Sequence, residues 1–163
     1  MIAEQEKQAQ SEYRRFGKLY RNGGVLVGLC LDEEGIPPTA EQRFEIAKKI
    51  RDRASEYGIK PKNLVMDALT LTISAQQKES AETIKALKMI KDQLGICTTL
   101  GVSNISFGLP RREIVNGTFF ALALNNGLDA CIINPCADSM INTYRAFMAL
   151  SCYDADCQEY VSK

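Results

Sequence analysis

Three polar side chains follow directly on a short apolar run in the middle of the chain, at Ser103, Asn104 and Ser106. The run over residues 97–102 is rich in apolar and β-branched residues, which is typical of a buried strand. In parallel α/β sheets and barrels, ligands bind at the carboxyl ends of the strands. The Asn104 amide can donate and accept hydrogen bonds, so it is the first candidate for chemistry on a polar ligand. The alternative is a loop asparagine that only ties its own turn together.

Asp67 is the second candidate, because it lies in the middle or at the end of an apolar run over residues 64–71. Aspartate is disfavoured in strands, and a residue that breaks a rule of local structure is a reasonable guess for a site. The alternative is an aspartate that caps a helix or closes a turn.

Adjacent carboxylates at Asp32, Glu33 and Glu34 could serve acid–base catalysis. Neighbouring residues on a loop point in different directions, however, so solvated loop charges and turn contacts are the favoured interpretation. Asp32 lies nearest the end of the preceding apolar run, and it is the one carboxylate that we place with the other candidates.

Hydrophobic periodicity predicts the elements that must position these residues. Near-continuous apolar runs are typical of strands buried on both faces, and each run is followed by a helical pattern. Four strands are predicted, at residues 25–31, 64–71, 97–102 and 130–133, with a charged helix at residues 3–20 before them and a polar tail at residues 154–163 after them.

Two helix starts follow from capping-box spacing, at residues 39–42 and 74–77. The helix after the second box is predicted to bury one face, with its charged residues on the other faces. The third helix, at about residues 112–125, is apolar on more than one face, which indicates either a partner surface or an ordinary well-buried helix. The face predicted to be buried in the second helix carries Ala81, Ile84, Leu87, Ile90 and Leu94.

The alternation of strands and helices predicts an α/β fold of four consecutive parallel βα units with right-handed crossovers. A doubly wound sheet and part of a (β/α)8 barrel both have this pattern. No Gly-x-Gly-x-x-Gly follows any predicted strand, which disfavours a dinucleotide-binding fold. Polar residues after three different strands favour the mouth of a barrel.

Charge and composition argue against several classes of partner. The 20 basic and 20 acidic residues cancel, and no basic patch stands out, so no nucleic-acid partner is expected. No apolar run approaches the ~20 residues that span a bilayer, so no membrane partner is expected. The polar residues 1–15 do not resemble a secretory signal, which favours a cytoplasmic protein. The chain has no histidine and no Cys-x-x-Cys, so no metal site is expected.

The stretch Gly-Val-Ser-Asn-Ile-Ser-Phe-Gly-Leu-Pro at residues 101–110 has three ordered companions, at residues 28–37, 66–75 and 127–135. Together they resemble the pterin-binding barrel of methyltetrahydrofolate:corrinoid/iron–sulfur protein and homocysteine methyltransferases. That family includes the folate domain of cobalamin-dependent methionine synthase. A long match with ordered companions is specific, unlike a lone glycine pattern.

The resemblance implies roles for the two main candidates. Asn104 matches the family asparagine that hydrogen-bonds N5 of the methyl-bearing pterin, and Asp67 matches the aspartate that binds the amino-pyrimidine edge. A carboxylate suits that edge because it can accept two parallel N–H bonds. The family usually has proline after this aspartate, whereas this chain has Ala68.

Further residues complete the site that the resemblance implies. Gly101 would let a flat ring approach the backbone closely, and Ser103 would hydrogen-bond the pterin or the asparagine loop. Arg112 aligns with a family arginine near the substrate, with a surface charge as the alternative. Asn134 matches the Asn-Pro of the family and is expected at the same mouth, as is Asp32.

A complete barrel has eight strands and ~250 residues, whereas four βα units are predicted here. The resemblance covers nearly all of this chain but only the C-terminal half of the family's barrel, so we expect a truncated product. Two open strand edges and an apolar inner face would then be exposed. We expect these surfaces to pair with a second chain, in a homodimer or with the missing barrel half.

The resemblance implies an enzyme that binds 5-methyltetrahydrofolate and passes its N5-methyl group to the cobalt of a corrinoid (cobalamin) held by a partner protein or domain. The alternative is a non-catalytic, folate-binding or structural half barrel that dimerises, because the family's other pterin contacts come from strands absent here. A dihydropteroate synthase, another pterin barrel, is disfavoured by the loop at residues 103–110.

Overall fold

Four short strands form the centre of the computed structural model, which describes residues 24–162. The strands are β1 (Leu26–Leu29), β2 (Leu64–Asp67), β3 (Cys97–Gly101) and β4 (Ala130–Ile132). The helix predicted at residues 3–20 lies outside the described residues.

The strands form one sheet in the order β1-β2-β3-β4, and all three neighbouring pairs are parallel. Each crossover therefore advances by one strand in the same direction, without the reversal of order that marks a doubly wound sheet. The predicted α/β class is confirmed, and the arrangement is that of half a (β/α)8 TIM barrel.

A helix follows every strand, and a last short helix follows the fourth unit. The helices are α1 (Ala40–Glu56), α2 (Glu79–Met89), α3 (Arg112–Asn125), α4 (Asp138–Leu150) and α5 (Gln158–Val161). α2 continues into a wider helical turn over Ile90–Leu94, and Gly95, with φ of 63°, ends it in the left-handed conformation that glycine adopts without strain. Within residues 24–162, no helix is long and apolar enough to cross a membrane.

All four strands are shorter than predicted, because the loops at their carboxyl ends begin earlier. The largest difference is after β2, where the prediction of a strand to residue 71 was wrong. Leu69 has φ of 63°, which is incompatible with a strand, so β2 ends at Asp67. After β3, the chain enters a 3-10 turn at Val102–Ser106.

The first predicted helix start is confirmed and the second is wrong. The Gln42 N–H donates to Thr39 Oγ1 at 3.3 Å, so Thr39 caps α1 as the capping-box spacing predicts. α2 instead begins at Glu79, without a side-chain cap. The Ser74 hydroxyl donates to the carbonyl oxygen of Phe107 at 2.7 Å and takes no part in capping.

The buried face of α2 is also different from the predicted one. Leu87 and Ile90 are buried as expected, but Ala81 is exposed. Glu79 and Thr83 are buried in its place, because they contact a buried arginine described below. In α3, Phe119 and Phe120 are buried while Ile114 and Leu122 are exposed.

One face of the sheet packs against the helices. Gly28, Met66 and Leu100 point to this side and are buried, and a Cβ at Gly28 would lie 2.8 Å from the Ile50 side chain of α1. The strand register then places alternate residues on the opposite side, which we call the inner face. The inner face carries Val27, Leu29, Val65, Asp67, Cys97, Thr99, Gly101, Ala130 and Ile132.

The inner face is open to solvent along its two outer strands. Large apolar side chains there are 40% to 69% exposed, and no part of residues 24–162 covers them. They are Val25, Val27, Leu29 and Leu31 on and beside β1, and Ile132 on β4. A row of exposed apolar side chains on unpaired edge strands is characteristic of a surface that another structure covers.

Candidate functional site

Asp67 and Gly101 lie close together on the inner face, at the carboxyl ends of neighbouring strands. Asp67 is paired in register with Thr99 of β3, and Gly101 follows two residues later. From a strand spacing of ~4.8 Å and a rise of ~3.3 Å per residue, their Cα atoms are about 8 Å apart. The loops that leave these two strand ends therefore frame one site.

Asp67 presents a nearly buried carboxylate with one oxygen in use. The residue is 9% exposed, and its Oδ1 accepts a hydrogen bond from the Leu69 N–H at 2.8 Å. Within residues 24–162, Oδ2 accepts no hydrogen bond, so it is available to a ligand. Burial raises the pKa of Asp67 above its ordinary value, and the Leu69 N–H partly opposes this.

The Cys30 thiol lies under this end of the sheet and is fully buried. Burial, helped by the charge of Asp67 and opposed by Arg43, raises the pKa of Cys30 to about 12. The side chain therefore remains a protonated thiol and packs as a small apolar group, so it is not a nucleophile for this site.

Asn104 lies in the 3-10 turn after β3, and its amide stands over Gly101. A Cβ at Gly101 would lie 3.0 Å from Asn104 Nδ2, so any side chain there would displace the amide. Because Gly101 faces the inner side, the amide lies on the same side of the sheet as Asp67. The residue is exposed, and its amide makes no hydrogen bond to the described residues.

Arg112 fastens the loop that carries Asn104. Its Nε donates to Ser106 Oγ at 2.9 Å, and its Nη2 donates to the Ser103 carbonyl oxygen at 3.0 Å. Its guanidinium also stacks over the Phe107 ring, 4.6 Å from the centroid. These contacts fit a residue that orients the loop, and the resemblance places an arginine near the substrate at this position.

Ser103, Arg112 and Asn134 line one open depression of about 310 Å³ between the ends of β3 and β4. Asn134 uses its Oδ1 to accept a hydrogen bond from the Cys136 N–H at 3.0 Å, which closes its own turn. The structure thus brings these three candidates together, and Asn134 contributes mainly to the local backbone.

Asp32 is used within its own loop. Its Oδ1 accepts from the Glu34 N–H at 2.9 Å, and its backbone pairs with Gly35. The residue is exposed and lines a separate depression of about 430 Å³ beside α1, with Glu41 and Lys49 among its neighbours. The geometry therefore does not join Asp32 to the other candidates.

The loops after β2 and β3 are tied directly to each other. The Thr72 and Ser74 hydroxyls both donate to the Phe107 carbonyl oxygen, each at 2.7 Å. The Ile73 N–H donates to the Ile105 carbonyl oxygen at 3.0 Å. These contacts hold the Asp67 and Asn104 loops as one unit, and no local sequence pattern indicated them.

Sequence reasoning also missed a buried ion pair between α1 and α2. The side chains of Arg43 and Glu79 are 0% and 4% exposed, and they form a salt bridge. A signal was present, because Arg43 falls on the apolar stripe of α1 with Ala40, Phe44 and Ala47. A charged residue on a buried helical face requires a partner.

The geometry suits a flat ligand with several ring nitrogens. A free carboxylate oxygen accepts N–H donors, and a free amide can donate to a ring nitrogen on the same face. Thr70, in the loop after Asp67, is 7% exposed and its hydroxyl has no hydrogen-bond partner among the described residues. The site thus carries two polar groups without partners among the described residues, Asp67 Oδ2 and the Asn104 amide, beside apolar side chains.

Comparison with known proteins gives independent findings. The model of the family described as pterin binding enzyme matches residues 33–134. Methionine synthase of Mycobacterium tuberculosis is 38% identical over 121 residues, which is 69% of this chain and 10% of that protein. Methionine synthase of Mycobacterium leprae is 37% identical over a segment of the same length. Methylcorrinoid:tetrahydrofolate methyltransferase of Eubacterium limosum is 31% identical over 139 residues, 83% of this chain and 50% of that protein.

Proposed function

Because the chain belongs to the family of pterin binding enzymes, we propose that it binds 5-methyltetrahydrofolate on the inner face, between the ends of β2 and β3. The chain spans a tenth of the two methionine synthases and half of the methylcorrinoid:tetrahydrofolate methyltransferase. The names of these relatives support a pterin-dependent methyltransferase function, and transfer by this chain is part of the proposal.

The observation that carries the proposal is the pair of unused polar groups on one face. Asp67 Oδ2 is positioned to accept N–H bonds from the amino-pyrimidine edge of the pterin. The Asn104 amide, over Gly101, is positioned to donate to N5. Gly101 leaves room for a ring to lie flat against the end of β3.

The proposed reaction is transfer of the N5-methyl group to the cobalt of a corrinoid on a partner protein or domain. A reduced corrinoid would supply the electron pair for the new bond to the methyl carbon, while N5 would keep the electrons of the broken N–CH3 bond and take up one proton from solvent. Negative character therefore develops on N5, and a hydrogen bond from Asn104 becomes stronger as the reaction proceeds. The loop contacts of Arg112 hold that donor in place.

The direct test is calorimetric titration of the chain with 5-methyltetrahydrofolate. We expect one binding event per chain, with competition from the unmethylated tetrahydrofolate, because the pterin edge is common to both. Adenosine is the control ligand, since its base lacks the 2-amino group and the adjacent ring N–H that form the donor edge of the pterin. Absence of any folate binding would contradict the proposal and favour the alternative of a structural half barrel.

The open inner face supports a further part of the proposal, a second copy that completes the barrel. A two-fold axis along the barrel would place β4 of each copy beside β1 of the other, giving eight parallel strands. This pairing would cover the exposed row on β1 and Ile132 on β4.

Light scattering at micromolar concentration is expected to give a dimer. As a control, Val27→Lys places a charge on the inner face without touching the helices, and it should shift the chain toward monomer. A wild-type chain that remains a clean monomer would contradict the homodimer and leave a separate complementary half as the partner.

A further inference from the structure

We infer that Arg43 is a positioning residue for the proposed folate site. Its buried guanidinium holds the loop after β2 in the conformation that presents the Asp67 carboxylate to the inner face. The inference rests on the proposed function, because the orientation of Asp67 matters only where a ligand uses that carboxylate.

The Arg43 guanidinium has partners at all three of its nitrogen atoms. Its Nε donates to the Pro37 carbonyl oxygen at 2.8 Å, and its Nη2 pairs with the Glu79 carboxylate. Its Nη1 donates to Thr83 Oγ1 at 2.9 Å and to the Leu69 carbonyl oxygen at 3.2 Å. Since the group is fully buried and each of its three nitrogen atoms is bonded, it is a fixed support.

The residue that Arg43 supports has an unfavourable backbone conformation. Leu69 has φ of 63°, which bulky residues rarely adopt. Both of its peptide groups are held, since its N–H donates to Asp67 Oδ1 and its carbonyl oxygen accepts from Arg43 Nη1 and Thr83 Oγ1. Strained conformations persist where surrounding contacts enforce them, and they concentrate at ligand sites.

The left-handed turn at Leu69 determines which oxygen of Asp67 is free. By turning the chain back, it brings the Leu69 N–H onto Oδ1 of the residue two positions earlier. Oδ1 is then occupied, and Oδ2 is left for the ligand. Without the bonds to the Leu69 carbonyl, the loop could relax to ordinary backbone angles and release the carboxylate from this orientation.

Arg43 acts on Asp67 through the backbone and not as a charge partner. Within residues 24–162, no hydrogen bond or ion pair joins the two side chains. Burial raises the pKa of Asp67, whereas an adjacent guanidinium would lower it. Removing the arginine should therefore change the geometry of the carboxylate more than its charge state.

The experiment uses variants of the full chain that separate positioning from folding. Arg43→Met combined with Glu79→Leu removes both buried charges and keeps the volume apolar, a replacement that usually preserves stability. Thr83→Val removes one support of the Leu69 carbonyl, and Thr83→Ser retains the hydroxyl as its matched control. Lys91→Met is the distant control, because it breaks only the 2.6 Å ion pair with Asp129.

Three measurements are made on each variant: thermal unfolding, amide hydrogen exchange at Leu69, and the Kd for 5-methyltetrahydrofolate. The variant that combines Arg43→Met with Glu79→Leu, the paired variant, is expected to lose protection at the Leu69 amide. It should also bind the folate roughly tenfold more weakly. Thr83→Val is expected to weaken binding by about fivefold, through loss of a single hydrogen bond. Thr83→Ser and Lys91→Met are expected to match the wild type in both readouts.

A folded paired variant with a protected Leu69 amide and wild-type folate affinity would overturn the inference. If that variant does not fold, the two Thr83 variants provide the test. Equal folate affinities of Thr83→Val and Thr83→Ser would overturn the inference, and weaker binding by Thr83→Val supports it. A wild-type chain that binds no folate refutes the proposed function instead. Even then, hydrogen exchange at the Leu69 amide tests whether Arg43 holds the loop after β2. An amide that stays protected in the Arg43→Met/Glu79→Leu variant would show that it does not.

Discussion

Asp67→Asn is expected to weaken 5-methyltetrahydrofolate binding by roughly 10- to 100-fold, the cost of losing a charge-assisted hydrogen bond. The asparagine can still accept the Leu69 N–H through its amide oxygen, so the loop should keep its shape. Its NH2 group would then replace Oδ2 and oppose an N–H donor of the ligand. Calorimetric titration of both chains measures the effect.

The same substitution is expected to stabilise the chain at neutral pH, on the order of 1 kcal/mol. Burial raises the folded-state pKa of Asp67 above the ordinary value of 3.8. Between pH 3.8 and the higher pKa of the folded state, the Asp67 carboxyl is ionised in the unfolded chain but still protonated in the folded chain. The contribution of Asp67 to stability therefore falls as the pH rises through this range. Asparagine does not titrate, so the gain should shrink toward about pH 4 in denaturant unfolding curves.

Asp52→Asn is the matched control, because Asp52 is an exposed carboxylate on α1 whose one partner among residues 24–162 is Arg51. It removes one negative charge without touching the inner face, and it should change neither folate affinity nor stability appreciably. Unchanged folate affinity in Asp67→Asn would show that the carboxylate is not a ligand for the pterin.

Asn104→Ala is expected to slow methyl transfer by about 100- to 1000-fold, the usual loss when one transition-state donor is removed. Folate binding should weaken much less, because N5 carries little negative charge before the N–CH3 bond breaks. Single-turnover transfer from bound 5-methyltetrahydrofolate to a reduced corrinoid protein measures the rate, and titration measures the affinity.

Asn126→Ala is the control for the asparagine substitution, since among the described residues the Asn126 amide donates to the Leu122 carbonyl oxygen alone, at the end of α3. It should leave both rate and affinity unchanged. If Asn104→Ala lowers the rate and the affinity equally, the hydrogen bond from Asn104 to N5 is as strong in the bound substrate as in the transition state. That result would contradict the prediction. A wild-type chain that binds the folate and transfers nothing would favour the binding-module alternative.

The sequence was sufficient to predict elements that depend on local pattern. Apolar runs located all four strands, and the Thr39 capping box located the start of α1. Asn104 was a candidate because it follows directly on an apolar run, and parallel strands place such residues at one edge. Asp67 was a candidate because aspartate is disfavoured within a strand. The α/β class followed from the same alternation, whereas the half barrel was implied by the family resemblance.

Features that depend on contacts between distant residues were not predictable in this way. The left-handed Leu69 is enforced by Arg43, 26 positions away, so its own sequence context indicates a continuing strand. Ser74 has capping-box spacing, yet its hydroxyl bonds Phe107, 33 positions away. The bonds of Arg112 to Ser103 and Ser106, which fasten the loop, likewise had no local signal in the sequence.

The shared carbonyl of Phe107 has a consequence for how the ligand preference of this site can change during evolution. Thr72 and Ser74 both bond to it, so a shift in either loop is transmitted to the other. Substitutions within one hydrogen-bonded network combine non-additively. Adaptive paths toward a different ring should therefore be strongly epistatic, with changes in one loop tolerated only after compensating changes in its neighbour.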